Sequence, residues 1–509
     1  MNSVRQKILS LEELATKVAQ VRNSGQKTVL CHGVFDLIHP GHIRHLESAR
    51  REGDVLIVSL TADAMVNRGP GRPVFNERLR AETIAALECV DYVVVCRHPT
   101  AVSIINELQP NVYVKGPDYA EPDKNAEGNI RLEMEAAKKV GGRIHFTEEL
   151  LFSSTQLLND YFSIYPPQTE NFLNEFKQKF TADDIIERFE SLRNLRVLVV
   201  GEVIVDEYHY CKGIGKSPKD SIIVSKHISD ESFGGGSIAC ANHLAEYCNE
   251  VHLLSVVGGV ESREDVIEEC LNPRVKRHFF KDPGACTIVK RRYVDPDFMH
   301  KLFEICYLPN PKLEEAVERE IIDYLSTAAS EFDMVLVTDF GHGMLSENVI
   351  KTLTKTAKFL AVNTQTNSAN TGYNVITKYP RADYVCIDEP ELRLATYDRI
   401  GPLEPLVKQV VEKTGASRVT ITRGHNGALT YRTGDHFHET PIFSTRIVDR
   451  TGAGDAFLSV TAPCVAAEFP MELIGFIGNA VGAMAVQIVC NRSPVKRELL
   501  FKFIQGLLK

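Results

Sequence analysis

Short apolar runs rich in β-branched residues recur along the chain, separated by segments of helical period. Between Lys27 and Asp160 the runs are TVLCHGVFD, DVLIVSL, DYVVVC and NVYVKG. IRHLESARREG, between the first two, has apolar positions at helical spacing and ends on Gly53, the residue type that closes helices in the left-handed conformation. AVSIINELQP supplies another helix before NVYVKG. Continuous apolar strands alternating with amphipathic helices predict parallel sheets covered on both faces. From Tyr161 to Asn194 the texture changes to a Pro pair followed by amphipathic charge, which reads as a linker with a helix or two. A second alternating block opens with RVLVVGEVIVDEY and continues through VHLLSVVGG, MVLVTDFG, FLAVNT, YVCID and RVTITRG. The expected fold is α/β throughout, with domains at 1–160 and 195–509 and a linker at 161–194.

Composition adds limits. The 509 residues are 44% hydrophobic and 25% charged, enough apolar content to bury real cores. Net charge is -9, which argues against nucleic-acid binding by bulk charge but leaves room for a local phosphate pocket. No apolar run approaches the roughly 20 residues that span a bilayer. The charged N-terminus lacks a signal-peptide core, and none of the twelve cysteines forms a C-x-x-C pair. The expectation is a cytoplasmic protein with reduced thiols and no membrane partner.

Candidate chemistry begins in CHGVFDLIHPGHIRHLESA. A strand runs into a tight loop and then a helix whose first turn holds His39, Pro40, Gly41 and His42. Proline suits the first helical position, and Gly41 leaves space for a ligand against the backbone. A helix N-terminus presents unpaired N–H groups to phosphate. Two imidazoles there can donate to a phosphorus centre as charge grows on its oxygens. Gly33 would let the chain pass close to a triphosphate. Near the other end, IVDRTGAGDAFLSV places Gly452, Ala453, Gly454 and Asp455 where a strand gives way to a helix. There Asp455 can accept a proton from an attacking hydroxyl while the helix N–H groups stabilise a transferred phosphoryl group.

On the H-x-G-H segment, with KILSLEELATKV, YVKGPDY and FSSTQLL, residues 7–160 resemble the H-x-G-H nucleotidyltransferases. They look most like the nucleotidyltransferase half of the bifunctional heptose kinase/nucleotidyltransferases. The resemblance implies attack by a sugar or polyol phosphate on the α-phosphate of ATP or CTP, with pyrophosphate leaving. By the same match Phe35 and Gly41 would border the nucleotide and Asp36 would brace the histidine loop. Lys115 would contact phosphate and Asp118 the substrate. Ser153, Ser154 and Thr155 would hold the β- and γ-phosphates, with Arg78 a further phosphate candidate.

Residues 195–509 resemble the ribokinase-like (PfkB) carbohydrate kinases, through TGAGDAF, GEVIVDEYHY, FGGGSIACANHLA, VTDFGHG and VTITRGHNGALTY. SPKDSIIVSKHI looks like the family's small β lid. The resemblance implies ATP and Mg²⁺, with Asp206, Gly235 and Gly236 at the sugar, Gly424 and Gly427 at the nucleotide, and Glu391 at the metal. Several positions depart from the family pattern. Ala239 stands where an Asn is usual, Asn363-Thr364-Gln365 where D-P-K is usual, and His342 where a Lys is usual; the N-x-x-E element reads Asp388, Glu389, Pro390, Glu391. The implied protein is a bifunctional enzyme, homodimeric through its lid, with the heptose enzymes' domain order reversed. It would make a nucleotide-activated sugar for surface polysaccharide. The alternative is a nucleotidyltransferase carrying a silent kinase-like domain for sugar sensing or dimerisation.

Overall fold

The computed structural model describes residues 2–66, 73–116, 128–147 and 165–509, which fall into two compact units, 1–166 and 167–509. Both are α/β.

In the first unit β1 (Thr28–Gly33), β2 (Val55–Thr61), β3 (Tyr92–Cys96), β4 (Val112–Lys115) and β5 (Arg143–Phe146) form an all-parallel sheet in the order β3-β2-β1-β4-β5. Adjacent residues feed opposite layers: Val29 and Cys31 join one core, Leu30 the other. That two-sided burial is why the strands read as unbroken apolar runs. The helix Leu11–Asn23 starts at a capping box between Ser10 and Glu13. The helix Pro40–Arg50 starts at His39 and stops at Arg51, which is right-handed, so Gly53 is not its left-handed cap. Gly53 instead lets β1 approach, because a Cβ there would crowd the Lys27 carbonyl and Val29. The chain leaves β1 for β2 and β3 on one side, then crosses to β4 and β5 on the other. The strand order therefore reverses at the C-terminal ends of β1 and β4, the usual place for a ligand crevice in such sheets.

The second unit begins with the helices Pro167–Phe176 and Ala182–Glu190. The stretch read as a linker thus contributes packed helices here: Phe176 stacks on Phe476 at 4.2 Å and Phe189 meets Phe501 at 5.3 Å. The main sheet uses β6 (Arg196–Gly201), β9 (Glu250–Val260), β10 (Lys276–Cys286), β13 (Met334–Asp339), β14 (Leu360–Thr364), β15 (Tyr384–Asp388), β16 (Arg418–Thr422), β17 (Ala428–Arg432) and β18 (His438–Thr440). Their order is β10-β9-β6-β13-β14-β15-β16-β17-β18, parallel except at β17 and β18. A four-stranded lid, β12-β11-β7-β8, joins β7 (Val203–Lys216), β8 (Ile223–Gly236), β11 (Ile288–Asp295) and β12 (His300–Tyr307). Only Glu202 separates β6 from β7, so lid and main sheet are continuous at the point where the main sheet's order reverses, between β6 and β13.

Candidate active sites

His39 is the N-cap of the helix that follows β1, and its Nδ1 accepts the Gly41 N–H at 3.1 Å. Burial lowers the affinity of this ring for a second proton. The neutral ring therefore carries its proton on Nε2, and that buried nitrogen has no hydrogen-bond partner among the described residues. His39 is thus a donor held ready for an acceptor that the described residues do not supply. The His42 ring lies 3.9 Å from it, centroid to centroid, and Phe35 presents an edge to His42 at 5.5 Å. Phe35 is left-handed at φ 48°, and a Cβ on Gly33 would press on its ring at 3.1 Å. Gly33 thus leaves room for the aromatic wall.

The loop is fastened from outside. Asp36 accepts the N–H groups of Val74 (2.9 Å) and Phe75 (3.1 Å). Arg80, completely buried, donates to the carbonyls of Val34, Phe75 and Thr61 and to Asp63. Arg78, the arginine singled out by sequence, is exposed and paired with Glu82 instead.

Lys115 closes the crevice at the end of β4. It is buried, with Nζ 3.0 Å from a Glu133 oxygen that also accepts the Tyr113 hydroxyl at 2.7 Å. Burial alone would raise the Glu133 carboxyl, but Lys115 and the hydrogen bonds hold it below the ordinary range. Burial, aided by Lys115, pushes His32 and His45 down to about 4, so both are neutral at physiological pH. Asp118, Ser153, Ser154 and Thr155 lie outside the described residues.

In the second unit the helix Ala453–Ala466 begins after Gly452, which is left-handed at φ 82° and abuts Asn491. Ala453 and Gly454 open this helix at the wall of a cavity of about 580 Å³, and Asp455 lines it too. Burial first, and the nearby Asp206 second, push the Asp455 carboxyl up to about 7. The cavity extends past Asn363, Asp388, Glu391, Gly424 and Gly427 to apolar residues that include Ile442, Phe443 and Val486. A lining that combines polar groups with apolar walls suits a nucleotide. Gly427, at φ 78°, runs so close to Thr440 that a Cβ would overlap its carbonyl. Glu391 closes a capping box with Asp388 and accepts the Thr366 N–H at 2.9 Å. Burial and Asp388 push its carboxyl up to about 8.

On the lid side, Asp206 is buried on β7 and ion-paired with Arg292, which reaches Glu304 at 2.6 Å as well. Gly235 is required at this spot, since a Cβ would overlap the Asp206 carboxylate. Gly236 turns at φ 56° into the helix Ser237–Leu244, and Ala239 is buried within it. Tyr208 and Lys301 of the lid reach Asp449, just before the glycine loop, at 2.6 and 2.7 Å.

Sequence reasoning missed the network around the 339–342 turn. Glu202 accepts the N–H groups of Phe340 (3.0 Å) and His342 (3.1 Å), and burial and Asp339 push its carboxyl up to about 7. Asp339 is fully buried and paired with Lys378 at 2.6 Å, so a cation reaches it despite the His at 342. Only the acidic and basic residue types were legible in the sequence, since each partner comes from a different strand or loop.

The family comparisons follow this division. The pfkB family carbohydrate kinase model matches residues 194–495, more than half of the chain. The chain belongs to that family. A cytidylyltransferase-like model matches residues 30–161. The fold of the kinase unit is similar to that of phosphofructokinase-2 from Escherichia coli in complex with potassium. The TM-score is 0.51 at 15% identity, over 62% of this chain and 100% of that one. Among curated relatives, the bifunctional protein HldE of Citrifermentans bemidjiense is 40% identical over 144 residues, 28% of each chain. HldE of Helicobacter pylori strain 26695 is 44% identical over 121 residues, 23% of this chain and 25% of that one. The matched segment spans only about a quarter of the length of these relatives. Among the described residues no helix is long and apolar enough to cross a membrane.

Proposed function

We propose that the chain is a bifunctional transferase. Its kinase unit moves the γ-phosphoryl group of ATP to a sugar-class hydroxyl. Its nucleotidyltransferase unit joins a sugar or polyol phosphate to a nucleotide, making an activated donor for polysaccharide assembly. The observation that carries the reading is Asp455 in the first turn of a glycine-led helix, lining the nucleotide cavity with its carboxyl near 7.

At that site Asp455 takes the proton of the acceptor hydroxyl as its oxygen bonds to the γ-phosphorus. The bond from that phosphorus to the β–γ bridging oxygen breaks, and ADP leaves. The N–H group at Gly454 faces the transferred group, while that of Ala453 donates to the Arg450 carbonyl at 3.3 Å. Asp388 and Glu391 fit a magnesium ion, because Glu391 is buried, burial and the neighbouring Asp388 disfavour its charged form, and a cation would relieve both. Bound magnesium would neutralise charge on the phosphates.

In the other unit an oxygen of the incoming phosphate attacks the α-phosphorus and pyrophosphate leaves. His39 donates from Nε2 to a phosphate oxygen, His42 lies against it, and Lys115 supplies positive charge at the end of β4. No covalent intermediate is needed; orientation and charge stabilisation do the chemistry. The protein acts as a homodimer, supported by exposed apolar residues on the lid, among them Ile223, Phe303 and Ile305.

Ala239 and Asn363 favour a second reading, in which the kinase unit binds a sugar without turnover. Mass spectrometry after incubation with Mg²⁺, ATP, CTP and a small-metabolite extract separates the two. The bifunctional reading expects a new sugar phosphate and a nucleotide-linked product. A nucleotide-linked product alone, unchanged in Asp455→Asn, supports the second reading.

A further inference from the structure

The turn between β17 and β18 reads TGDHF and runs straight into His438, a run that neither transfer reaction uses. Asp435, His436 and His438 lie outside the lining of the nucleotide cavity. Gly434 turns the chain at φ 86°, and the Asp435 N–H donates to the Arg432 carbonyl at 3.0 Å. Phe437 then stacks on Tyr431 at 4.2 Å and packs against the main apolar core. Successive side chains of extended backbone alternate, so with Phe437 turned to that core His436 and His438 face the other way together. His438 pairs opposite Thr430, whose hydroxyl donates to the Met471 carbonyl at 2.9 Å. It therefore stands on the face that meets the helix Met471–Ala485. The His436 and His438 rings are 4.2 Å apart, centroid to centroid, and His436 Nδ1 is 2.8 Å from an Asp435 oxygen. One donor atom from each of the three residues falls within 4.8 Å of the others. Metal bonds of about 2.0–2.2 Å in a tetrahedral shell hold donors about 3.4 Å apart, so small side-chain rotations close this set around one ion.

We propose that Asp435, His436 and His438 form a site for a divalent transition metal of the zinc class. Two imidazole nitrogens and one carboxylate oxygen suit such an ion, whereas magnesium takes oxygen donors in a near-octahedral shell. The site is thus chemically distinct from Asp388 and Glu391, and it is independent of turnover in either unit. Glu472, next to Met471, is already bound to Lys179 at 2.7 Å, so water completes the shell. The role of the metal is structural. It pins the turn to the first residue of β18, two residues before Thr440, whose carbonyl borders Gly427. The chain then runs on to Ile442 and Phe443 in the wall of the nucleotide cavity.

The test uses the untagged full chain, stripped with a chelator and titrated with Zn²⁺ by calorimetry. Mg²⁺ is the contrasting ion, and Cys306→Ser controls for binding to an exposed thiol. The proposal expects one Zn²⁺ per chain, retained in millimolar Mg²⁺ and in Cys306→Ser. His436→Gln and His438→Gln should each weaken it at least about 10-fold, and the double variant should abolish it. Asp435→Asn, at an exposed position, should weaken it in the same direction without disturbing the fold. Zn²⁺ should raise the melting temperature of the wild type and leave that of the double variant unchanged. No Zn²⁺ uptake by the wild type, or uptake unchanged in the double variant and in Asp435→Asn, overturns the site. Uptake lost in Cys306→Ser overturns it as well. Displacement by Mg²⁺ overturns the assignment of metal class. Binding that depends on the three residues but does not shift the melting temperature means that the unfolded chain binds equally well, and it overturns the structural role.

Discussion

Replacing Asp455 by Asn removes one proton acceptor and little else, because the helix start depends on Gly452 and on backbone bonds. A positioned general base contributes about 10²- to 10⁴-fold, so phosphoryl transfer should fall by that factor while nucleotide binding persists. The pH dependence makes the prediction sharper. An aspartate ordinarily titrates at 3.8; here burial and Asp206 bring it to about 7. The base works ionised, so kcat/KM should rise tenfold per pH unit up to about 7 and then level. Asp206→Asn deletes the second cause, so the midpoint should move to lower pH while burial keeps it above 3.8. Stability follows the same carboxyl with opposite sense. A raised acid favours the folded state fully below its unfolded-state value, and that contribution disappears as pH rises through about 7. Thermal stability of the free protein should therefore fall as pH rises across that window, less so in Asp455→Asn. The assay is ADP release at saturating ATP across the range, paired with thermal melts. A flat wild-type profile, an Asp455→Asn enzyme retaining more than about a tenth of its rate, or a midpoint raised by Asp206→Asn would each refute the reasoning.

Other perturbations separate parts of the account. Arg80→Met leaves the carbonyls of Val34, Phe75 and Thr61 without their donor and should cost more than about 3 kcal/mol in denaturant unfolding. Exposed Arg78→Ala should stay within about 0.5 kcal/mol. Gly235→Ala drives a methyl group into the Asp206 carboxylate, so kinase turnover should collapse while pyrophosphate release by the other unit is unchanged. Glu391→Gln removes the buried carboxylate beside Asp388 and should raise the magnesium concentration needed for half-maximal kinase rate, read by titration.

The parts legible in sequence were local. HPGH follows an apolar strand into a helix, and capping and glycine preferences reveal that geometry within ten residues; TGAGD does open a helix, but the strand expected before it is absent, since the last strand ends at Thr440 and 441–452 are irregular. The helix start at Ala453 and the strand-end position of Lys115 followed from such signals. What was illegible depends on distant partners. Arg78 and Arg80 look alike in NERLR, yet Arg80 is the one that meets carbonyls from the residue after β1, from β2 and from the preceding turn. Lys290 reads as one of three cations in VKRRY until strand register sets it opposite Asp206. Lys378 pairs with Asp339 only because the loop after β14 folds back beneath the DFGHG turn. Gly53 misled for a related reason: its role is close approach to β1 and not helix termination. The phenylalanines at 172, 176 and 180 did carry a helical spacing, but their packing partners at 443 and 476 were far along the chain.

The central claim is that one chain holds two separable phosphate chemistries, and paired variants test it most directly. Wild type, His42→Ala and Asp455→Asn are each given Mg²⁺, ATP, CTP and a sugar and sugar-phosphate mixture, and products are followed by mass spectrometry. The account predicts that His42→Ala loses the nucleotide-linked product and pyrophosphate while phosphorylation continues, and that Asp455→Asn loses phosphorylation while nucleotidyl transfer to supplied sugar phosphates continues. Either variant leaving its own product unchanged, or one variant abolishing both, would contradict it.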